Sequence, residues 1–272
     1  MARETREVTV LEESSEILFN QKLTSDTCLM GLGSPGMAGT ARPGQFVMVQ
    51  VHPGNDPLLR RPFSICGTRA DALLILYRVV GKGTSIMAEK RVGERVSLVG
   101  PLGRGFEKPE GKDMALLVAG GIGIAPLFFL AQTMEPTHYR FFAGFGTARD
   151  IIRAEDVVGD AGDVSLATDD GSEGYAGLVT GLLEAYLEPK GPGHDGISLF
   201  TCGPRPMLRK VALEAMARQI PCQVSLEAAM ACGLGACQGC AVKAGTRERR
   251  PYYHVCSDGP VFPVSSIDWD CL

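Results

Sequence analysis

Through its first hundred residues the chain alternates apolar and polar positions in short runs. Glu7-Val-Thr-Val-Leu11, Ile17-Leu-Phe19, Gln45–Val51, Leu73–Val80 and Arg95–Val99 are each apolar or of period two. That period turns successive side chains to opposite faces and predicts strands. Glycine and proline fill the intervals at Gly31 to Gly44, Pro53-Gly54, Gly81 to Gly83 and Gly100-Pro101, where turns are expected. Many short strands between turns predict an antiparallel β-barrel over residues 1–108, with one helix around Thr84 to Lys90.

The pattern changes after Lys112. Met114–Ala119 is a continuous apolar run, as in a strand buried on both faces, and Gly120-Gly-Ile-Gly-Ile-Ala-Pro126 opens a helix through about Thr133. Strands are predicted near Tyr139–Ala143, Val164–Thr168 and Ile197–Thr201, and helices near Asp150–Val157, Gly177–Leu187 and Pro206–Arg218. Repeated alternation implies a doubly wound parallel α/β domain over 109–220. From Pro221 the alternation stops, and 221–272 reads as a small appended subdomain. No internal repeat or low-complexity tract appears.

Composition narrows the class. The 272 residues are 45% hydrophobic and 21% charged, enough for real cores in two domains and an appendage. A net charge of −4 argues against nucleic acid or an anionic membrane as partner. Met114–Gln132 carries no charge and mimics a membrane span, but Gly120, Gly121, Gly123 and Pro126 break it, so a strand, a turn and a helix are expected instead. The start contains acids and runs into an alternating segment instead of the apolar run of a secretory signal, and a cytoplasmic location is expected.

The chemistry concentrates near the C-terminus. Cys232-Gly-Leu-Gly-Ala-Cys237-Gln-Gly-Cys240, with Cys256 further on, has the C-x4-C-x2-C spacing that holds a [2Fe–2S] cluster. Such a cluster needs four thiolates, one pair per iron, and Gly233, Gly235 and Gly239 let the backbone wrap closely. The competing reading is a structural zinc on the same thiols. Cys271 competes with Cys256 as fourth ligand. Cys28, Cys66 and Cys222 read as small apolar residues.

Two further constellations point to nucleotides. Gly120, Gly121 and Gly123 follow a buried strand, where a glycine loop suits a dinucleotide phosphate, although close helix–strand packing explains any one of them equally. Cys202-Gly203-Pro204 supplies a second loop on the same sheet edge. Asp169-Asp170-Gly171 ends a strand, where an acid accepts bonds from ribose hydroxyls and repels a 2′-phosphate, favouring NAD over NADP; either aspartate, or a plain turn, fits. The histidines His52, His138, His194 and His254 are scattered, and no acid–base or nucleophilic set is expected, so no catalytic side chain is assigned.

A barrel followed by a nucleotide-type α/β domain resembles the ferredoxin reductase fold. Arg61-Pro62-Phe63-Ser64 fits the Arg-x-x-Ser pattern with which that superfamily holds flavin, and Leu76-Tyr77-Arg78 with Gly83-Thr84 follows as a second element. With Leu226–Cys240 and Val255–Phe262, these motifs make nearly the whole chain similar to electron-transfer subunits of NAD-dependent, two-subunit dihydroorotate dehydrogenases. The resemblance implies FAD at 61–64, 76–78 and 83–84, with a cluster on Cys232, Cys237, Cys240 and Cys256. It implies an FMN-containing catalytic subunit as partner, in a heterotetramer with two copies of each chain. Electrons would pass from FMN through [2Fe–2S] and FAD to NAD in pyrimidine biosynthesis. The runner-up is an NAD(P)H–ferredoxin oxidoreductase or sulfhydrogenase-type flavin subunit.

Overall fold

The computed structural model describes residues 10–109, 113–159, 162–188 and 196–272. Six strands close an antiparallel barrel: β1 (Leu11–Lys22), β2 (Thr27–Gly33), β3 (Phe46–Gln50), β4 (Arg61–Arg69), β5 (Ala72–Arg78) and β6 (Arg95–Leu102), in the order β1-β2-β5-β4-β3-β6. Alternate residues such as Ile17, Met30, Val47, Val49, Leu73, Ile75 and Leu98 fill its interior. A short helix α1 (Pro35–Thr40) follows β2, and α2 (Lys82–Glu89) follows β5.

Two barrel strands, β2 and β4, are not among those the pattern predicts: the end of β2 at Gly31–Gly33 falls in an expected turn, and β4 opens on Arg61-Pro62, a pair that does not read as a strand. Gly31 is needed for space: a Cβ there would lie 2.3 Å from the Phe19 ring. Gly100-Pro101 is likewise inside β6. The strand expected at Glu7–Leu11 lies mostly outside the described residues, and β1 begins at Leu11.

The second unit is a seven-stranded sheet. Its strands are β7 (Met114–Gly120), β8 (Tyr139–Phe145), β9 (Val164–Thr168), β10 (Tyr175–Ala176), β11 (Ile197–Cys202), β12 (Cys222–Ser225) and, after the short hairpin of β13 (Ala241–Lys243) with β14 (Tyr252–His254), β15 (Val261–Pro263). The order β10-β9-β8-β7-β11-β12-β15 is parallel except for β15 at the edge. The strand alternation therefore runs one parallel strand past residue 220. The helix expected over Asp150–Val157 is shorter, a 3-10 turn at Ala148–Asp150 and then α4 (Ala154–Val157).

Helices cover both faces. In β7, Ala115, Leu117 and Ala119 face α3 (Ile124–Gln132), while Leu116 and Val118 face the side of α5 (Val179–Leu187) and α6 (Arg205–Ala217). Helix α3 is buried from Ile124 to Ala131, and Phe129 reaches the barrel core. A helix apolar all round must be covered all round, and here the sheet covers one side and β4 another. That explains the uncharged run without a membrane: among the described residues, no helix is long and apolar enough to cross one.

Candidate functional site

In the barrel, hydrogen-bonded pairing of β4 with β5 stops at Ile65↔Ile75, while Arg61–Ser64 stay paired with β3 and Leu76–Arg78 with β2. Proline tolerates such an open edge because it has no N–H to lose. The parting opens a cavity of about 540 Å³ lined by Arg61, Pro62, Phe63, Ser64, Leu76, Tyr77, Arg78, Gly83 and Thr84. Both sequence elements expected to hold flavin thus meet in one wall.

Their detailed roles differ. A Cβ on Gly83 would lie 2.9 Å from Arg61 Nε, so the bare glycine lets the guanidinium lie against the first turn of α2. A cation and unpaired helix N–H groups together suit a pyrophosphate. The Thr84 hydroxyl bonds its own chain: it accepts from the N–H groups of Val80 at 2.9 Å and Gly81 at 3.1 Å, and donates to Gly81 O at 2.9 Å. It shapes the loop. Tyr77 borders the cavity, but its side chain turns into the barrel, where its hydroxyl donates to Asn20 Oδ1 at 2.9 Å.

The opposite wall comes from Ile122, Ala125 and the run Ser225 to Met230, of which Ser225, Leu226, Glu227, Ala228 and Met230 line the cavity. The sequence reading missed Glu227 there. Glu227 is an exposed residue on this wall, and partial desolvation holds its pKa above the ordinary carboxylate value.

A second cavity of about 550 Å³ lies at the C-terminal edge of the sheet, lined by Gly120, Gly121, Asp169 and Pro204 among the expected residues. Ligands bind at this edge in open α/β sheets. Gly123, Cys202 and Gly203 do not line it; they pack the two loops together. A Cβ on Gly123 would lie 2.4 Å from Cys202 O, and one on Gly203, at φ +156°, 2.9 Å from Gly120 N. Cys202 is 2% exposed, and burial, with the Glu227 carboxylate adding, pushes its thiol up to about 12.

Asp169 lines the cavity, whereas Asp170 accepts the N–H of Ser172 at 3.0 Å and its hydroxyl at 2.5 Å. Those bonds hold the Asp170 carboxyl below its ordinary pKa and tie it into the turn. Asp26, Thr27, Asp150, Thr180 and Lys210 also line the cavity, without a sequence signal to mark them. Ile122 and Arg78 line both cavities. The Arg78 guanidinium is fixed at this junction by Asp26 Oδ2, at 2.7 and 3.0 Å.

Two residues beyond Met230 the cysteine loop begins, so the Cα atoms of Met230 and Cys232 are at most about 7 Å apart. Gly233 and Gly235 take φ values of +72° and +79°, and Gln238 takes +57°. A Cβ on Gly233 would lie 2.6 Å from Met48 of β3, so the loop rests against the barrel. The thiols fall in two sets. Cys240 and Cys256 are buried with sulfurs 3.3 Å apart, while Cys232 accepts N–H groups of Leu234 and Cys237, each at 3.4 Å. Gly235 N–H points at the Cys256 sulfur at 3.1 Å.

Backbone donors pull the Cys232 thiol down to about 6, toward the thiolate that iron binds; burial raises Cys256 to about 12, a proton that iron would displace. Among the described residues no three Cys, His, Asp or Glu groups surround a single metal position. The C-x4-C-x2-C spacing, with the buried Cys240–Cys256 pair beside it, suits two irons better than one zinc. Cys271 lies elsewhere, its sulfur 3.3 Å from Lys243 Nζ.

Comparison with known proteins agrees. The family model for the iron–sulfur cluster binding domain of dihydroorotate dehydrogenase B matches residues 227–268. The "dihydroorotate dehydrogenase B (NAD(+)), electron transfer subunit" of Desulforamulus reducens is 36% identical over 94% of this chain and 98% of its own. The protein of the same name from Bacillus mycoides is 41% identical over 83% and 86%. Among solved structures, an NADH-dependent reduced ferredoxin–NADP oxidoreductase studied for flavin-based electron bifurcation superposes with a TM-score of 0.80 at 27% identity, covering 94% of this chain and 90% of that one. The ferredoxin reductase of carbazole 1,9a-dioxygenase, at 22% identity, TM-score 0.67, and 79% and 68% coverage, shares the fold. The chain belongs to the family of dihydroorotate dehydrogenase B electron transfer subunits.

Proposed function

We propose that this chain carries electrons from a dihydroorotate-oxidising catalytic subunit to NAD+, using a [2Fe–2S] cluster and FAD. One observation carries the reading: the barrel cavity and the sheet-edge cavity share Ile122 and Arg78, and Met230, in the barrel-cavity wall, stands two residues before Cys232 of the cysteine loop. A relay needs its carriers in sequence, and this is a sequence of three sites.

Arg61 and the start of α2 would hold the FAD pyrophosphate, with Pro62, Phe63, Ser64, Leu76, Tyr77, Arg78, Gly83 and Thr84 shaping the slot. Cys232, Cys237, Cys240 and Cys256 would hold the cluster, and Gly120, Gly121, Asp169 and Pro204 the NAD. Bound there, FAD exchanges hydride with nicotinamide and single electrons with the cluster. The protein binds, orients and keeps the carriers adjacent. Residues 1–108, 109–220 and 221–272 serve as FAD, NAD and cluster units, with β12 tying the last to the sheet. The partner carries FMN, in a heterotetramer of two copies of each chain. A reduced-thiol compartment, the cytoplasm, suits nine cysteines without a disulfide.

Purification with the partner subunit tests this. The complex is expected to contain FMN, FAD, iron and acid-labile sulfide, and to form NADH from dihydroorotate. A chain with zinc and no flavin would refute the reading.

A further inference from the structure

Reduction of FAD by the cluster has a proton requirement that reduction by NADH lacks. NADH delivers one hydrogen and two electrons together as hydride: FAD + NADH gives FADH− + NAD+, with no proton from solvent. Two electrons arriving singly from the cluster bring no hydrogen, so FAD + 2 e− + H+ gives the same FADH−, and that proton must enter the barrel cavity. The sequence offers no acid–base set for it.

The cavity wall offers one group. Among the described residues, Glu227 is the sole carboxyl lining it. The other titratable or charged groups around it are unsuited. Arg61 and Arg78 stay charged, Lys82 is paired with Asp56, and Tyr77 turns its hydroxyl to Asn20. At the end of β11, Cys202 is buried and held as a thiol.

Glu227 follows β12 by two residues, and β12 is anchored in register with β11, Ser225 opposite Cys202. The Leu226 N–H donates to Pro260 O at 2.9 Å, which fixes the backbone immediately before the acid. Glu227 is exposed as well as lining the cavity, so its carboxyl can exchange protons with solvent. It stands five positions before Cys232, on the side from which cluster electrons come.

We propose that Glu227 is the proton donor to FAD when the cluster reduces it, reloading from solvent through its open edge, and that it has no part in hydride exchange with NAD. This rests on the reading of the barrel cavity as the FAD site. A carboxyl on the cavity wall whose pKa is held above its ordinary value by desolvation is suited to such a transfer, and a positioned acid commonly contributes about 10²–10⁴-fold.

The test uses the full chain with its cofactors, as wild type, Glu227→Gln and Glu227→Asp. Flavin reduction is followed by stopped flow with reduced methyl viologen, a one-electron donor, and separately with NADH, in H2O and D2O. Proton uptake is read with a pH-indicator dye in the viologen reaction. In Glu227→Gln, viologen-driven flavin reduction and proton uptake should slow together by about ten-fold or more, with cluster reduction unchanged. NADH-driven reduction should stay within about two-fold of wild type, and Glu227→Asp should recover part of the lost rate. Equal slowing of both routes would mean a structural role and overturn the proposal, as would no slowing of either. Wild-type protein without FAD, or with FAD that NADH cannot reduce, would overturn the site reading and the proposal with it.

Discussion

Cys256 is the cysteine beside Cys240, with 3.3 Å between sulfurs, whereas Cys271 lies against Lys243. Cys256→Ser should therefore lose most of the iron and acid-labile sulfide, because a hydroxyl is a poor ligand for this cluster. Cys271→Ser should keep both. Metal and sulfide analysis of the two variants decides it, and the reverse pattern would move the fourth ligand to Cys271. The two aspartates separate in the same way. Asp169 faces the sheet-edge cavity and Asp170 is spent on the Ser172 turn. Asp169→Asn should narrow the preference for NADH over NADPH, by relieving repulsion of a 2′-phosphate. Asp170→Asn should leave that preference alone and cost stability. Rates of flavin bleaching by each dinucleotide, with melting curves, check both. Equal use of NADH and NADPH by wild type would contradict the role given to Asp169.

At the scale of elements, the barrel's parted strands and the first turn of α2 make the anion cradle together, with the Arg61 guanidinium against Gly83. Arg61→Ala should weaken FAD binding by about 2–5 kcal/mol, the usual loss when a charge-assisted pair is truncated. Iron content should stay normal, since the cysteine loop rests on Met48 instead. Flavin titration of the stripped variant measures this, and an unchanged dissociation constant would remove the assignment. Much of this architecture was legible in the sequence: period-two runs gave most barrel strands, and β7, β9 and β11 fell where the apolar runs stood. β2 and β4 were hidden because Gly31 and Pro62 serve packing and an open edge, and both imitate turns. The three-cysteine spacing and the flavin tetrapeptide are local in sequence and could be read. Asp26, Lys210 and Glu227 could not, because only tertiary folding brings them to a cavity wall.

Across the whole molecule the sites adjoin: Arg78 and Ile122 are shared between two cavities, and Met230 of the barrel cavity lies two residues from Cys232. Helix α3 is buried between sheet and barrel, and its Phe129 packs in the barrel core. If electrons from the partner enter only through the cluster, as proposed, its loss should stop that route and spare hydride exchange with NAD. The direct measurement is NADH formation from dihydroorotate by the complex carrying Cys256→Ser, alongside bleaching of its FAD by NADH. The account predicts loss of dihydroorotate-driven NADH formation, with NADH-driven bleaching of FAD retained. Continued NADH formation from dihydroorotate by a complex shown to lack the cluster would contradict it.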